Sequence, residues 1–391
     1  MSGIEEMNFW QTLPQPIIGL SPMDGVTDAV FRLVVARQGA PDVMFTEFTS
    51  VGDICRGADC CLASLLYSEE ERPVVAQLYG KDPDFFYHAT HVVCELGFDG
   101  LDINMGCPSR SVASSGSGAA LIKTPDLAHS IMRAARQGIL DWAKGQALAS
   151  VGVKASRVEL LRSMNLKRSG RPTVPRRIIP LSVKTRLGFD AVVVESWIEH
   201  LLAERPAVIS VHGRTLQQMY RGEADWVAIG RAAQVVRGTD TLLFGNGDLQ
   251  SMQAVVRRVR ETGVQGALVG RGALGEPWFF RNKKAARVLM GVDERGLLPV
   301  EPEKTPAERF RVMLDHARQF EAMTGIDRFP RLRKHLGWYC KGFPHAAAMR
   351  GRMVRASSSA DVEQIVAEYQ HWAASESLPL SSPVSSSLPC A

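Results

Sequence analysis

Short apolar runs with the character of β-strands recur through the first part of the chain, and helical periodicity follows most of them. The strand-like runs are residues 17–20, 44–48, 74–78, 100–104, 181–184, 208–211, 241–244 and 267–269. The clearest helical stretches between them are 83–96, 126–137, 192–202 and 249–259. Eight alternations of strand and helix predict an α/β fold of the (β/α)8 TIM-barrel class. In such a barrel the loops after the strands meet at one face, where we expect the functional site.

A long connection at residues 146–179 does not fit the barrel pattern. Its Gly, Ser, Pro and basic residues predict an inserted, mobile loop. Residues 146–180 hold eight Lys or Arg against one Glu, and residues 328–355 hold eight with no acid. Because the whole chain carries a net charge of only +5, the remainder is acidic. Two basic segments on an acidic body indicate a polyanionic partner such as RNA or DNA, the alternative for each segment being a solvated charged face.

A small helical domain is predicted after the barrel. Beyond a proline-punctuated stretch near residue 300, apolar periodicity predicts helices at 307–324, 330–340 and 359–372. The expected units are a barrel domain over 1–290, a helical domain over 300–375, and a disordered Ser- and Pro-rich tail over 376–391.

Composition excludes several classes of protein. No apolar run approaches the ~20 residues that a membrane-spanning helix requires, so no membrane partner is expected. The first ten residues carry two Glu where a secretory signal carries Lys or Arg, which favours a cytoplasmic location. The seven cysteines are odd in number and form no CxxC pair, so neither a disulfide framework nor a metal site is expected.

The segment LDINMGCP, residues 101–108, carries the sharpest chemical signal. A predicted strand ends at Asn104 and is followed by Cys107, whose backbone Pro108 restricts to extended conformations. An unperturbed thiol is almost fully protonated at pH 7, which suits a proton donor better than a standing nucleophile. The alternative is a buried structural cysteine.

Two glycine turns follow the last two predicted strands, at 245–248 and 270–272. In a (β/α)8 barrel the loops at these places often bind phosphate, because glycine lets backbone N–H groups approach the oxygens. Arg271 adds positive charge. The alternative is ordinary turn chemistry at each place.

Other polar residues stand at the ends of predicted strands. Lys184 ends the fifth strand, where a lysine forms a Schiff base when neutral or neutralises an anionic ligand when charged. His212 ends the sixth strand, and its alternative role is that of a hydrogen-bonded structural histidine. Gln77 offers an amide at the end of the third strand, and Pro22 and Gly25 fix a turn after the first, under which a flat ring could lie.

Together these segments resemble the bacterial tRNA-dihydrouridine synthases, flavin enzymes that reduce uridines in tRNA. The resemblance rests on SPMDGVTD, TEF, VVAQLYG, DINMGCP, GSGAALI, VKTRLG, HGRT, YRGEADW, GNGD and VGRGALGEPW, in this order over residues 17–280. Arg333-Lys334-His335 with Trp338-Tyr339 is similar to the family's C-terminal helical domain. The insertion at 146–179 departs from the family pattern.

The resemblance implies roles for individual residues. The catalytic cysteine falls on Cys107. The FMN contacts fall on Pro22, Met23, Asp24, Gln77, Lys184, His212, Asn246, Gly247, Asp248, Gly270 and Arg271. The contacts with substrate RNA fall on Asn104, Arg331, Arg333 and Lys334.

The implied reaction is the reduction of specific tRNA uridines to 5,6-dihydrouridine by a monomeric enzyme. NADPH reduces FMN, FMN N5 gives a hydride to uracil C6, and Cys107 protonates C5 from the other face. Lys184 would stabilise negative charge on reduced flavin. Two alternatives stay open: a small-molecule lyase or aldolase of the same barrel class with Lys184 as Schiff base, and a catalytically inactive tRNA-binding protein.

Overall fold

Eight parallel strands close into a barrel in the computed structural model, which describes residues 8–292, 304–376 and 380. The strands are β1 (Ile17–Leu20), β2 (Met44–Ser50), β3 (Val74–Tyr79), β4 (Gly100–Met105), β5 (Leu181–Arg186), β6 (Val208–His212), β7 (Leu242–Asn246) and β8 (Gly266–Val269). Each strand pairs in parallel with the next, and β8 pairs back with β1. The predicted TIM barrel is confirmed, with strand ends within two residues of those expected.

Helices cover the outside of the barrel and form the C-terminal unit. The barrel helices are α1 (Ala29–Gly39), α2 (Val51–Arg56), α3 (Asp59–Ala63), α4 (Pro83–Glu95), α5 (Arg110–Ser114), α6 (Pro125–Ala143), α7 (Ala155–Ser169), α8 (Val194–Leu202), α9 (Trp226–Val236), α10 (Met252–Thr262) and α11 (Lys283–Val292). The C-terminal helices are α12 (Pro306–Thr324), α13 (Arg333–Tyr339), α14 (Ala346–Met353) and α15 (Ser359–Ser375).

An aromatic plug fills the end of the barrel at which the strands begin. A short 3-10 turn, Phe9–Gln11, brings Trp10 against Phe45 and Phe244, with ring centroids 6.2 and 5.5 Å apart. Trp10 is only 1% exposed. Because buried aromatic rings occupy this end, the opposite end of the barrel is the open one.

The C-terminal helices pack against α1 and the segment that follows β8. The ring of Phe31 in α1 stacks on that of His316 in α12, with centroids 6.1 Å apart. Arg309 donates a hydrogen bond to the carbonyl of Gly275 at 3.2 Å and forms an ion pair with Glu276 at 2.9 Å. Lys341 joins the same carboxylate at 3.1 Å. The helical unit therefore lies beside the loop after β8.

The segment 146–179 contains helix α7, packed on the barrel wall, so the expectation of a mobile loop is wrong for Ala155–Ser169. Asn165 donates to the carbonyl of Glu95 at 2.8 Å, and Arg168 forms an ion pair with Glu69 at 2.8 Å. The interior of α7 is rich in Leu, Arg and other good helix formers, and its glycines stand at the ends. Gly170 follows the last turn with φ +72°, a common helix C-cap conformation.

The disordered tail predicted over 376–391 lies outside the described residues, apart from 376 and 380. Within the described residues, no helix is long and apolar enough to cross a membrane. No group of three or more His, Cys, Asp or Glu in those same ranges could hold a metal ion.

Candidate functional site

A cavity of about 460 Å³ lies at the open mouth of the barrel. It collects thirteen of the residues proposed from sequence, from the ends of seven strands: Pro22, Met23, Asp24, Gln77, Asn104, Cys107, Lys184, His212, Asn246, Gly247, Asp248, Gly270 and Arg271. The volume lies within the ~300–1,000 Å³ range of ligand pockets. One cavity therefore brings together residues that are up to 249 positions apart in the chain.

Asn104 holds the loop that carries Cys107. Its Oδ1 accepts the backbone N–H groups of Gly106 at 3.0 Å and Cys107 at 2.8 Å. Its Nδ2 donates to Oε1 of Gln77 at 2.9 Å. Both ends of this buried carboxamide are engaged inside the protein, so Asn104 fixes the position of the thiol as well as lining the cavity.

The hydrogen-bond chain continues to Asp102, which the sequence reading did not single out. Nε2 of Gln77 donates to Asp102 Oδ2 at 2.7 Å, and Oγ of Ser182 donates to Oδ1 at 2.6 Å. Burial raises the pKa of Asp102 to about 6, although both hydrogen bonds oppose the rise. The chain runs across β3, β4 and β5 and locks the amide of Gln77 in one orientation.

The thiol of Cys107 is buried, with 8% of the residue exposed. Burial raises the pKa of the Cys107 thiol above its ordinary value. A hydrogen bond with the Ser109 backbone lowers this pKa, whereas the Asp24 carboxylate raises it further. The cations Arg186 and Lys184 oppose the rise in pKa. The thiol is therefore protonated at neutral pH, the state required of a proton donor.

Cations crowd the cavity, and one of them lies close to the thiol, since Nε of Arg186 donates to the carbonyl of Gly106 at 2.6 Å. Burial lowers the pKa of Lys184 to about 8 and that of Arg186 to about 10, and each cation lies in the field of others. Burial also holds the pKa of His212 well below its usual range. The neighbouring cations Arg186 and Lys184 lower it further. His212 is therefore neutral at pH 7. A buried excess of positive charge is stabilised when an anion binds beside it.

Asp248 links the cations around the glycine turn after β7. Its carboxylate forms ion pairs with Arg214 at 2.6 Å and Arg271 at 2.7 Å, and accepts the N–H of Ala224 at 2.7 Å. Burial opposes ionisation, but Arg214 and the Ala224 amide keep the pKa of Asp248 below its usual value. Asp248 therefore orients Arg271 at the rim.

The backbone of the two glycine turns presents N–H groups to the cavity. Among the described residues, no acceptor takes the N–H of Gly247, Asp248, Gly270 or Arg271. Gly247 has φ +133°, and a Cβ there would lie 2.6 Å from that of Ala224, so only glycine fits. Backbone donors gathered in this way beside Arg271 form an anion-binding nest.

The C-terminal unit reaches the mouth of the cavity. Trp338 lines the cavity, and Nζ of Lys334 donates a hydrogen bond to the carbonyl of Gly25 in the loop after β1. Arg333 instead donates to the carbonyl of Ala356 at 2.8 Å and so ties α13 to the end of α14. Arg331 is exposed. The three basic residues proposed for RNA contact therefore have three different surroundings.

Sequence reasoning missed several residues of the site. Arg186 and Tyr220 line the cavity, and Arg214 forms an ion pair with Asp248, which also lines it. Arg186 and Arg214 stand within VKTRLG and HGRT, yet nothing in their local pattern distinguishes a buried arginine from a surface one. The burial of Arg186 and Arg214 depends on how adjacent strands pair, which the local sequence does not show.

Known proteins share the sequence pattern of this chain. A family model described as dihydrouridine synthase (Dus) matches residues 19–140 and 171–375. A Bacillus subtilis protein named "Probable tRNA-dihydrouridine synthase 2" is 31% identical over 370 residues, covering 93% of this chain and 97% of the relative. A Staphylococcus epidermidis protein named "Probable tRNA-dihydrouridine synthase" is 30% identical over 369 residues, covering 93% and 96%. Among solved structures, DHODH from Eimeria tenella aligns with a TM-score of 0.46 at 12% identity, covering 72% of this chain and 86% of that one.

Alkylation should report the protonation state of Cys107. Because burial raises its pKa, the rate of reaction with iodoacetamide should still be rising at pH 9, whereas a free cysteine with a pKa of ~8.5 is by then mostly thiolate. Peptide mass spectrometry at each pH would follow the residue, with Cys107→Ser as the control that loses the signal. A rate that is already constant between pH 7 and 8 would contradict the assignment of a protonated thiol.

Proposed function

Because the chain belongs to the dihydrouridine synthase family, we propose that it reduces specific uridines in tRNA to 5,6-dihydrouridine, with FMN as bound cofactor and NADPH as reductant. One observation carries this proposal: a single cavity brings a buried, protonated thiol together with a cluster of cations and the unused N–H groups of two glycine turns. The names of the relatives supply the substrate class, tRNA.

The cavity has the features that FMN requires. The unused N–H groups of Gly247, Asp248, Gly270 and Arg271, with the Arg271 guanidinium, suit the phosphate. Lys184, which donates to Asn246 at 3.3 Å, suits the electron-rich edge of the ring system. Met23 supplies an apolar surface, and a Cβ on Gly270 would lie 3.2 Å from its sulfur. We therefore infer that the two glycine turns would hold the phosphate and that Lys184 and Met23 would hold the ring system.

The chemistry divides between the cofactor and Cys107. When bound, FMN supplies the hydride that adds to C6 of uracil. Cys107 gives its proton to C5, so that the C5=C6 double bond gains one hydride and one proton in total. Asn104 keeps the thiol aimed through the two backbone N–H groups that it accepts. The thiolate formed lies within the field of Arg186 and Lys184, which lowers the cost of the transfer.

The target base must leave its stack to reach the thiol. Cys107 is 8% exposed and lies within the barrel mouth, where a stacked nucleotide in a helix cannot reach it. The rim offers Tyr220, which is 61% exposed, and Trp338 as apolar surfaces beside the entrance. We therefore infer that the enzyme acts on a uridine that is flipped out or already unpaired.

The test of the function uses the purified full-length protein. It should be yellow with flavin absorbance, and with NADPH it should form dihydrouridine in unmodified tRNA, as measured by nucleoside mass spectrometry. A colourless protein with a borohydride-trappable substrate adduct would favour the aldolase alternative. A protein that binds tRNA but forms no dihydrouridine would favour the catalytically inactive alternative.

Replacing Cys107 by Ala should slow uridine reduction by ~10² to 10⁴-fold, because the thiol is the proton donor to C5. FMN content and reduction of the flavin by NADPH should stay near those of the wild type, since neither requires the thiol. Cys94→Ala is the matched control, because Cys94 is buried in α4 outside the cavity. Wild-type turnover by the Cys107 variant would overturn the assignment.

Lys184→Met removes the charge and keeps most of the side-chain length. The variant should hold FMN at a lower midpoint potential and accept hydride from NADPH more slowly, because the cation near the ring stabilises the reduced, anionic form. Potentiometric titration and stopped-flow absorbance measure the two effects. An unchanged potential, together with loss of a borohydride-trappable adduct present in the wild type, would support the Schiff-base role instead.

Arg331→Gln tests the proposed RNA contact on the helical unit. Arg331 is exposed, whereas Arg333 holds the end of α14, so the Arg331 variant should fold normally. We expect the slope of log tRNA affinity against log salt to fall by roughly one if Arg331 contacts one phosphate. Arg257→Gln, on the exposed side of α10, is the charge-matched control. Equal slopes for both variants would remove Arg331 from the interface.

A further inference from the structure

A second cavity, of about 470 Å³, lies between the barrel wall and the insertion. Its barrel side is formed by Ile54, Cys55, Arg56, Gly57, His88 and Val92. Its other side runs from Val151 to Leu160. That side falls entirely within residues 141–170, which the family model skips. The cavity therefore exists because of the insertion, and nothing in the family pattern assigns it a role.

The lining of this second cavity is cationic. Arg56, Lys154 and Arg157 are joined there by His88 and Ser156, and no Asp or Glu is among the lining residues. Lys154 is exposed and forms no ion pair with any residue in the described ranges. Charged groups of one sign around a concave surface attract a ligand of opposite charge.

Two of these cations differ in how firmly they are held. Arg157 is 8% exposed and donates to the carbonyl of Ala58 at 3.0 Å and to Sγ of Cys61 at 3.3 Å, so its position is fixed. Arg56 pairs with Asp53, but 66% of the Arg56 side chain is exposed. Such an exposed surface pair is weak, so the Arg56 guanidinium can turn to a phosphate at little cost.

The first turn of α7 adds to the positive potential. The helix begins at Ala155, next to the cavity, and its N-cap residue Lys154 makes no side-chain cap hydrogen bond. The fifteen residues of α7 give its N-terminus a partial positive charge. This effect supports the side-chain cations and would not by itself define a site.

A groove runs from the mouth of the barrel towards the second cavity. The groove shares Asp24, Phe48 and Ser109 with the mouth cavity and extends to Asp53 and Cys61. Cys61 contacts Arg157, and Asp53 pairs with Arg56, so residues of the groove touch residues of the second cavity. The six residues of α2 that separate the two ends span only ~9 Å of helix. An extended strand entering the mouth can therefore reach both places.

We propose that the second cavity binds a phosphate of the tRNA backbone near the target uridine. This proposal rests on the proposed function, because it takes tRNA as the substrate. Asp24 and Asp53 line the groove and repel phosphate, so the contact is expected at its cationic end and not along its length. Because Lys154 is the N-cap residue of α7, a packed helix, it gains this contact without the ordering cost that a mobile loop would carry.

The test compares two charge-matched double variants of the full-length, FMN-loaded protein. Lys154→Gln with Arg56→Gln removes two cations from the cavity, and Lys167→Gln with Arg171→Gln removes two exposed cations from the insertion outside it. Titration with tRNA at several salt concentrations should show a slope reduced by roughly one, as expected for one phosphate contact, and affinity lowered ~10-fold at 0.1 M salt for the first pair only. Melting curves should coincide for both pairs, since all four side chains are exposed.

Three results would overturn the inference. The first is an unchanged slope for the cavity pair, and the second is an equal loss for both pairs, which indicates diffuse attraction. The third is loss of inorganic phosphate binding with tRNA affinity intact, which assigns the cavity to a small anion. Dihydrouridine formation is measured on the same samples. Its absence in the wild type, with tRNA binding still sensitive to the cavity pair, would overturn the proposed function and leave the phosphate site standing.

Discussion

Closure of the barrel is the constraint on which the rest of this structure depends. Because every strand pairs in parallel with its neighbour and β8 pairs with β1, all eight carboxyl ends must lie on the same rim. Residues that follow a strand are thereby brought together regardless of their distance in the chain. The aromatic plug around Trp10 fills the other end, so that the rim bears the only open end of the barrel within the described residues.

Hydrogen bonds between neighbouring strands then turn this assembly into a site with fixed geometry. The chain from Ser182 through Asp102 and Gln77 to Asn104 ends on the backbone of Cys107. No member of this chain can move without leaving a buried polar group unpaired, which costs ~1–3 kcal/mol. Across the cavity, Asp248 holds Arg214 and Arg271. The thiol and the cations are therefore held in place before any ligand binds.

The sequence predicted the strands and the residues at their ends, because both leave a local signature. Apolar runs of three to five residues mark buried parallel strands, and a polar residue at the end of such a run lies near the rim, as Lys184 and His212 do. Residues that act from within a strand leave no such signature. Asp102 alternates with apolar neighbours in β4, and its role depends on Ser182 in β5, which lies 80 positions away. Helix α7 is hard to see in the sequence for another reason: the glycines and prolines of the insertion flank it, whereas α7 itself has the composition of an ordinary helix.

The position of the helical unit bears on which nucleotide can react. Lys334 holds the carbonyl of Gly25, and the N–H of Met23 in the same loop donates to Oγ1 of Thr27 at 2.9 Å. The loop that lines the mouth is thus attached both to α13 and to the start of α1. In the proposed function, a tRNA bound to the helical unit is held at a set distance from Cys107. Because the thiol lies within the mouth, only a uridine at the corresponding distance from the bound backbone can reach it. In the proposed function, the position at which the helical unit binds the tRNA then decides which uridine reacts. Contacts with uracil inside the cavity need only exclude the other bases.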